Sequence, residues 1–346
     1  MTDAITAIFK GIECHSLIVM LALKAVSLLS LLSAFLPTKA MEQTEKDTRS
    51  MPEATIQTVI LSLMTVLSIA GNAFVFLAFY RNRRLRTITN FYVFSLAIAD
   101  IMVAIFVSPF YIVASGLRRW PFDFNLCQFT GFLSVYWTEV SLSVLTMTSI
   151  NRYFCVVKPQ LYPIFFTKKK TVFSILFIWI VMLISSITFV VTTPVIYRWD
   201  QNSLYCRGTY HRRTEVTKTI LACCILLPMS LVIFCYGSVY RVVKQHKTAI
   251  VPSLQAAKRP GTITAHDIRT SRVLFFAVLG FCFSWTPHAV ISILESGFQM
   301  SIPSSAKSIP AIFAFISAWI NPVIYGVMNR AVQKEFRNII SCQKDK

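Results

Sequence analysis

Asp100 stands in Leu96-Ala97-Ile98-Ala99-Asp100, a carboxylate at the end of an apolar run, and Glu139 is a second acid in a similar setting. Both are costly in a low-dielectric interior unless a polar partner or cavity receives them, so such acids read as functional by default. Asn151-Arg152-Tyr153 closes one apolar run, and Asn321-Pro322-Val323-Ile324-Tyr325 closes another. Between them, Phe281 precedes Ser284-Trp285-Thr286-Pro287 by a turn. The usual catalytic signatures are missing: the sequence has no Gly-x-Ser-x-Gly, no His-Glu-x-x-His and no Gly-rich phosphate loop. Five scattered histidines and 10 glycines leave little material for a metal or nucleophile–base constellation. The chain therefore reads as a non-enzyme without a metal-ligand cluster.

The elements that must hold these residues are long apolar helices. Of 346 residues 55% are hydrophobic and only 14% charged, against about 25% charged in an ordinary soluble domain. A bilayer core about 30 Å thick needs about 20 helical residues per crossing. Apolar runs lie near 55–80, 91–116, 125–157, 171–194, 216–240, 270–296 and 308–328. The fold class expected is an all-α seven-transmembrane helix bundle with a short amphipathic helix after the seventh span. The regions are 1–54, a leader-like N-terminal part; 55–328, the bundle; and 329–346, amphipathic helix and tail.

The net charge of +19 would suggest nucleic acid in a soluble chain, but its placement describes topology instead. One set of connections and the tail hold 21 basic residues, the opposite set 8. Lysine and arginine mark the cytoplasmic side, which puts the C-terminus inside and residue 54 outside. Residues 17–36 are apolar and interrupted by Lys24. They read as a cleaved or dispensable leader, with an eighth span or upstream sequence joined near Met41 or Met51 as alternatives. A chain beginning at Met51 is expected to suffice. No Asn-x-Ser/Thr acceptor occurs.

Taken in order, the spans carry Asn72 after Gly71, then Asp100, then Cys127 to Asn151-Arg152-Tyr153, Trp179, Pro228 with Tyr236, Phe281 with Trp285 and Pro287, and Asn321-Pro322-Tyr325. This series over residues 55–340 resembles the rhodopsin-like family of G-protein-coupled receptors. The resemblance implies a multi-pass plasma-membrane receptor that binds a small extracellular ligand within the bundle. It also implies activation of a heterotrimeric G protein by outward movement of the sixth helix, with arrestin, a receptor kinase and membrane lipid as further partners. It implies coupling and switch roles for Asn151, Arg152, Tyr153, Tyr236, Phe281, Trp285, Pro287, Asn321, Pro322 and Tyr325. Trp285 taken alone is more often a packed core aromatic; its setting between Phe281 and the Pro287 kink favours the switch.

Under the same resemblance Asp100 holds a sodium ion with Asn72, Ser141, Ser317 and Asn321; the alternative is a hydrogen-bonded structural acid. Cys127 precedes Arg152 by 25 residues, about 37 Å of helix, and so lies on the extracellular side. A Cys127–Cys206 disulfide over the mouth of the bundle is then expected, with two free thiols as the alternative. Cys155, Cys223, Cys224, Cys235 and Cys282 read as small apolar packers, and Cys342 as a palmitoylation site. Glu139 reads as a tie to the fourth or fifth helix or as a ligand contact.

Departures from the family narrow the ligand. Ser134 stands where amine receptors carry their carboxylate, and Phe315 where opsins carry the Schiff-base lysine, so neither an amine nor retinal is expected. The pocket residues would be Ser134, Thr138, Trp285, His288 and Phe315, suited to a neutral or amphipathic molecule. Asn151 in place of the usual aspartate is similar to melatonin receptors, whereas Asn321-Pro322 is not. An opsin-like protein without its own ligand response, or a transporter, is the alternative; no internal repeat of the transporter kind occurs. Asp267, 20 residues before Pro287, would reach the cytoplasmic face and clasp Arg152. Otherwise it is a solvated residue at a helix start.

Overall fold

A computed structural model describes residues 49–193, 195–210, 225–249, 265–298 and 300–341. The leader-like segment, Cys223, Cys224 and Cys342 lie outside the described residues. Helix α1 spans Met51–Arg81, α2 Ile88–Phe106, α3 Ser108–Leu117, α4 Phe124–Val157, α5 Tyr162–Phe165 and α6 Lys168–Thr192. After strands β1 (Val195–Asp200) and β2 (Tyr205–Tyr210) come α7 (Leu227–Ala249), α8 (Ala265–Gly297), α9 (Ser304–Lys307), α10 (Ile309–Met328) and α11 (Arg330–Ile340). Among the described residues six helical segments are long and apolar enough to cross a membrane. The fifth span is α7, whose expected first half, 216–224, is outside the described residues.

Five starts are set by short polar side chains that accept an otherwise unpaired backbone N–H. Ser50 caps α1, Thr87 α2, Asp123 α4, Thr167 α6 and Asn329 α11. The cap on α1 changes one expectation: a chain beginning at Met51 would lose Ser50, and with it Arg49, which is buried and donates to Gln57 and Ser115. The second span is also not one helix. Pro109 has no N–H to continue the ladder, and the chain breaks at Val107 between α2 and α3. Pro287 and Pro322 lie inside α8 and α10.

The core sits between α2, α4, α8 and α10, around Leu96, Val140, Val144, Val278, Phe281 and Tyr325. Close helix approach depends on glycine at Gly71, where a Cβ would lie 2.9 Å from Pro322 Cβ. The outward faces are apolar instead of charged: Phe173, Leu176, Phe177, Ile180 and Ile184 of α6 are all exposed. Such a face suits lipid and would be an aggregation liability in water.

The loop after α6, expected only to lie over the mouth, is an antiparallel hairpin pairing Val195–Asp200 with Tyr205–Tyr210. At the other end α11 packs Val332 and Ile339 inward. It also buries Glu335, which faces Arg81 at 3.7 Å and accepts from Asn82. Glu335 is the one acid in that helix, and the sequence reading passed over it.

Candidate functional site

One end of the bundle is built around Arg152, in the last turns of α4. Its guanidinium is buried, 3% exposed. It donates to Asn151 Oδ1 from Nη2 at 2.6 Å and from Nε at 3.2 Å, and to the Thr89 hydroxyl of α2. Thr89 donates in turn to Asn151 Oδ1 at 3.1 Å, and the Asn151 amide donates to the Tyr162 hydroxyl. An amide oxygen thus supplies the acceptors that a carboxylate was expected to supply.

The expected Arg152–Asp267 clasp is not formed. Arg152 is turned toward α2, while Asp267, at the start of α8, accepts from the Cys155 thiol at 3.6 Å. Cys155 is accordingly a polar partner rather than the inert packer expected. Arg269, two residues on, donates from Nε (3.3 Å) and Nη2 (3.1 Å) to the Met328 carbonyl at the end of α10. Tyr153 points away from this cluster and packs on Phe234. Tyr236 is buried against Phe275, and Tyr325 is buried in the central core.

Halfway along the bundle, Asn321 Nδ2 donates to Asp100 Oδ2 at 3.3 Å. Asn72 donates instead to the Ala318 and Ser68 carbonyls, tying α1 to α10. Ser317 is spent on the Ala314 carbonyl, and no bond joins Ser141 to Asp100 among the described residues. Among the described residues the one direct hydrogen bond between side chains within this set is Asp100–Asn321, with Asn72 bracing the backbone beside it. Asn72 Oδ1 and Asn321 Oδ1 are both buried without a hydrogen-bond partner. Glu139 accepts from Ser186 of α6 at 2.9 Å, the fourth-helix tie expected as one option. Trp179 donates to Ser95.

Toward the hairpin end of the bundle Trp285 lies between Phe281 and His288, with ring centroids 6.0 and 5.7 Å away. His288 also faces Tyr205 of the hairpin. Phe315 packs against the hairpin cluster. Ser134 and Thr138 are less available than expected: Ser134 bonds the Thr130 carbonyl and the Tyr111 hydroxyl, and Thr138 bonds the Ser134 carbonyl. The hairpin is held by a Cys127–Cys206 disulfide. Gln128 bonds both the N–H and the carbonyl of Tyr197, and Trp199 stacks on Trp120 at 5.5 Å.

Above this, Glu295 accepts from Arg207 and pairs with Lys307 at 3.4 Å, while Arg207 also meets Asp200 at 3.6 Å. Glu295 lies beyond the apolar stretch 267–291 of α8. Burial alone would raise its pKa, but Arg207 and then Lys307 hold it below the usual carboxylate value. Sequence reasoning missed Asp200, Arg207 and Glu295 because a helix end and a hairpin had to be brought together first.

The chain matches the family model described as "7 transmembrane receptor (rhodopsin family)" over residues 71–325. It is 26% identical over 311 residues to the human G-protein coupled receptor 161, covering 81% of this chain and 58% of that one. It is 28% identical to the octopamine receptor beta-2R of Drosophila melanogaster, covering 82% and 60%. It is 26% identical to a melanopsin of Branchiostoma belcheri, covering 79% and 40%. The chain thus spans less than two thirds of the length of these relatives. A crystal structure of squid rhodopsin superposes with a TM-score of 0.73 at 20% identity, over 90% of this chain and 93% of that one. With that family-model match over residues 71–325, the chain belongs to the rhodopsin family of seven-transmembrane receptors.

Proposed function

We propose that this chain is a plasma-membrane G-protein-coupled receptor, N-terminus outside, that responds to a small neutral or amphipathic ligand held between α4, α8 and α10. The observation that carries this reading is Arg152: a buried guanidinium at the end of a span, paired with an amide and a hydroxyl. Among the described residues no carboxylate lies within ion-pair distance of it. A buried charge without a counter-charge is costly. Release of Arg152 toward a partner that enters from the cytoplasm relieves that cost. Outward movement of α8 about Pro287 would open the cleft, and Trp285, two residues before the proline, couples it to the pocket lined by His288 and Phe315. Arrestin and a receptor kinase would dock at the same face.

A sodium ion fits the middle of the bundle, where Asp100 carries the charge and the unpartnered Asn72 Oδ1 and Asn321 Oδ1 supply further oxygens. Its contribution would be to neutralise Asp100. Retinal does not fit as a covalent cofactor, since Phe315 has no amine. The second reading, an opsin-like protein without its own ligand response, draws on the hairpin over the mouth, with Tyr197 and Trp199 buried.

The test is nucleotide exchange on purified heterotrimeric G proteins by membranes carrying the full chain, with Arg152→Ala as control. Exchange above background that Arg152→Ala abolishes is expected. Equal exchange by both chains across G-protein classes would overturn the reading.

A further inference from the structure

We infer that the resting position of the sixth span is held from the seventh span by Arg269, through the Met328 carbonyl, and not from the third span by Arg152. The inference rests on the receptor reading for its signalling consequence, but not for the bond itself. Met328 is the last residue of α10, so its carbonyl is one of those a helix end leaves without an intrahelical donor. Asn329 then leads directly into α11. A guanidinium placed there satisfies the carbonyl twice over, at 3.1 and 3.3 Å, and sits at the negative end of the helix dipole. The donor is charged and the acceptor is backbone. No side chain of α10 is needed to keep the bond, and only residue 269 can abolish it.

Packing nearby makes this bond matter. Along the middle of their interface α8 and α10 fit closely: Phe283 meets Phe313 at 5.2 Å, and a Cβ on Gly280 would lie 3.3 Å from Ile320. Toward the cytoplasm that fit opens. A cavity of about 30 Å³ lies between α1, α2, α8 and α10, bordered by Thr270, Val273, Leu274, Tyr325 and Asn329. Room for a water or two is too little for a ligand and enough to forfeit dispersion contacts. Thr270 borders this gap, and Arg269 is its neighbour in the chain, so a polar bond holds the helix beside a break in its side-chain packing. On the opposite side Asp267 receives a thiol, a weak donor, and Arg152 is bonded elsewhere.

The test uses the full chain in lipid nanodiscs, with trifluoromethyl-phenylalanine in place of Phe276, an exposed residue two turns along α8. Arg269→Gln removes the charge, and Arg269→Lys keeps it with a single point of attachment. Without ligand or G protein, the fluorine resonance of Arg269→Gln is expected to show a second state. Its population should be at least about three times that of the parent, with Arg269→Lys in between. Nucleotide exchange on added G protein should rise by a similar factor. An unchanged fluorine spectrum in Arg269→Gln, with thermal unfolding like the parent's, overturns the inference. So does a larger change in Arg269→Lys than in Arg269→Gln. A shifted spectrum with no exchange by any chain keeps the latch and overturns the receptor reading instead.

Discussion

The two ends of this bundle are fastened by different chemistry. Outside, the hairpin is held by a disulfide, by a stack of Trp120, Trp199 and Tyr111, and by the Arg207–Glu295–Lys307 bridges. Inside, α8 is held by the Arg269 bond to one carbonyl and a thiol–carboxylate contact, beside a small cavity. Covalent and aromatic fastening has no second arrangement of similar energy, whereas single hydrogen bonds exchange readily. A helix hinged at Pro287 could swing its Arg269 end while the hairpin end keeps its place. The kink at Pro287 lies between the two regimes.

The largest effect should come from the outer fastening. Cys127→Ser and Cys206→Ser are each expected to cut surface expression several-fold, since losing a native disulfide costs about 2–5 kcal/mol. The double variant should be no worse than either single, because both remove the same bond. Clearly additive losses, measured by surface labelling, would mean that the two sulfurs act separately.

Glycines give a matched pair across the comparison. A Cβ on Gly131, near the extracellular end of α4, would lie 2.9 Å from Tyr197 Cβ, with the ring closer still. On Gly237, in α7, it would meet nothing within 4 Å. Gly131→Ala is expected to destabilise by about 1–3 kcal/mol through overpacking. Gly237→Ala should be neutral or stabilising by up to about 1 kcal/mol. Thermal unfolding in detergent decides; an undisturbed Gly131→Ala would mean that the hairpin gives way, contrary to a rigid outer end.

How far the sequence carried depends on the range of each interaction. Apolar runs and basic connections are properties of the chain itself, so the spans and their order were legible, as was the Cys127–Cys206 pair. The break at Val107 was also written there, in Ser108-Pro109, but the strong apolar run on both sides hid it. Partner choice was not legible. Asn151 was read as lacking the charge Arg152 needs, yet a buried amide oxygen with Thr89 beside it satisfies the guanidinium. Arg269 counted only as one more cytoplasmic cation, because its acceptor is a carbonyl and leaves no trace in residue types.

The ion bridges of the outer end should show a pH signature. Glu295 is held below its ordinary value of 4.5 when folded, so its ionised form stabilises the fold above that value. That stabilisation is lost as pH falls through the lower folded-state value. At pH 7 Glu295→Gln is expected to unfold about 1–3 °C below the parent, as for a network worth up to roughly 1 kcal/mol. Below the folded-state value the two curves should converge. A gap that persists in acid would assign the difference to packing of Glu295 and not to its charge.

The smallest effect concerns the inner end. If the third and sixth spans were clasped by an Arg152–Asp267 ion pair, Asp267→Ala would free α8 and raise ligand-free signalling about tenfold per 1.4 kcal/mol lost. The geometry gives a weaker expectation. Arg152 keeps its bonds to Asn151 and Thr89 whatever stands at 267, and the contact that Asp267 makes to α4 is from a thiol. A thiol is a weak donor, and a bond of that kind at a half-exposed position contributes at most about 0.5 kcal/mol, a factor of roughly two. At matched surface density, basal output of Asp267→Ala should therefore stay within about twofold of the parent, and Cys155→Ala should match it. Because both changes remove the same thiol–carboxylate bond, Cys155→Ala should add nothing further in the Asp267→Ala background. Output rising tenfold in Asp267→Ala while Cys155→Ala stays silent would return the restraint to the third span and break the contrast between the two ends.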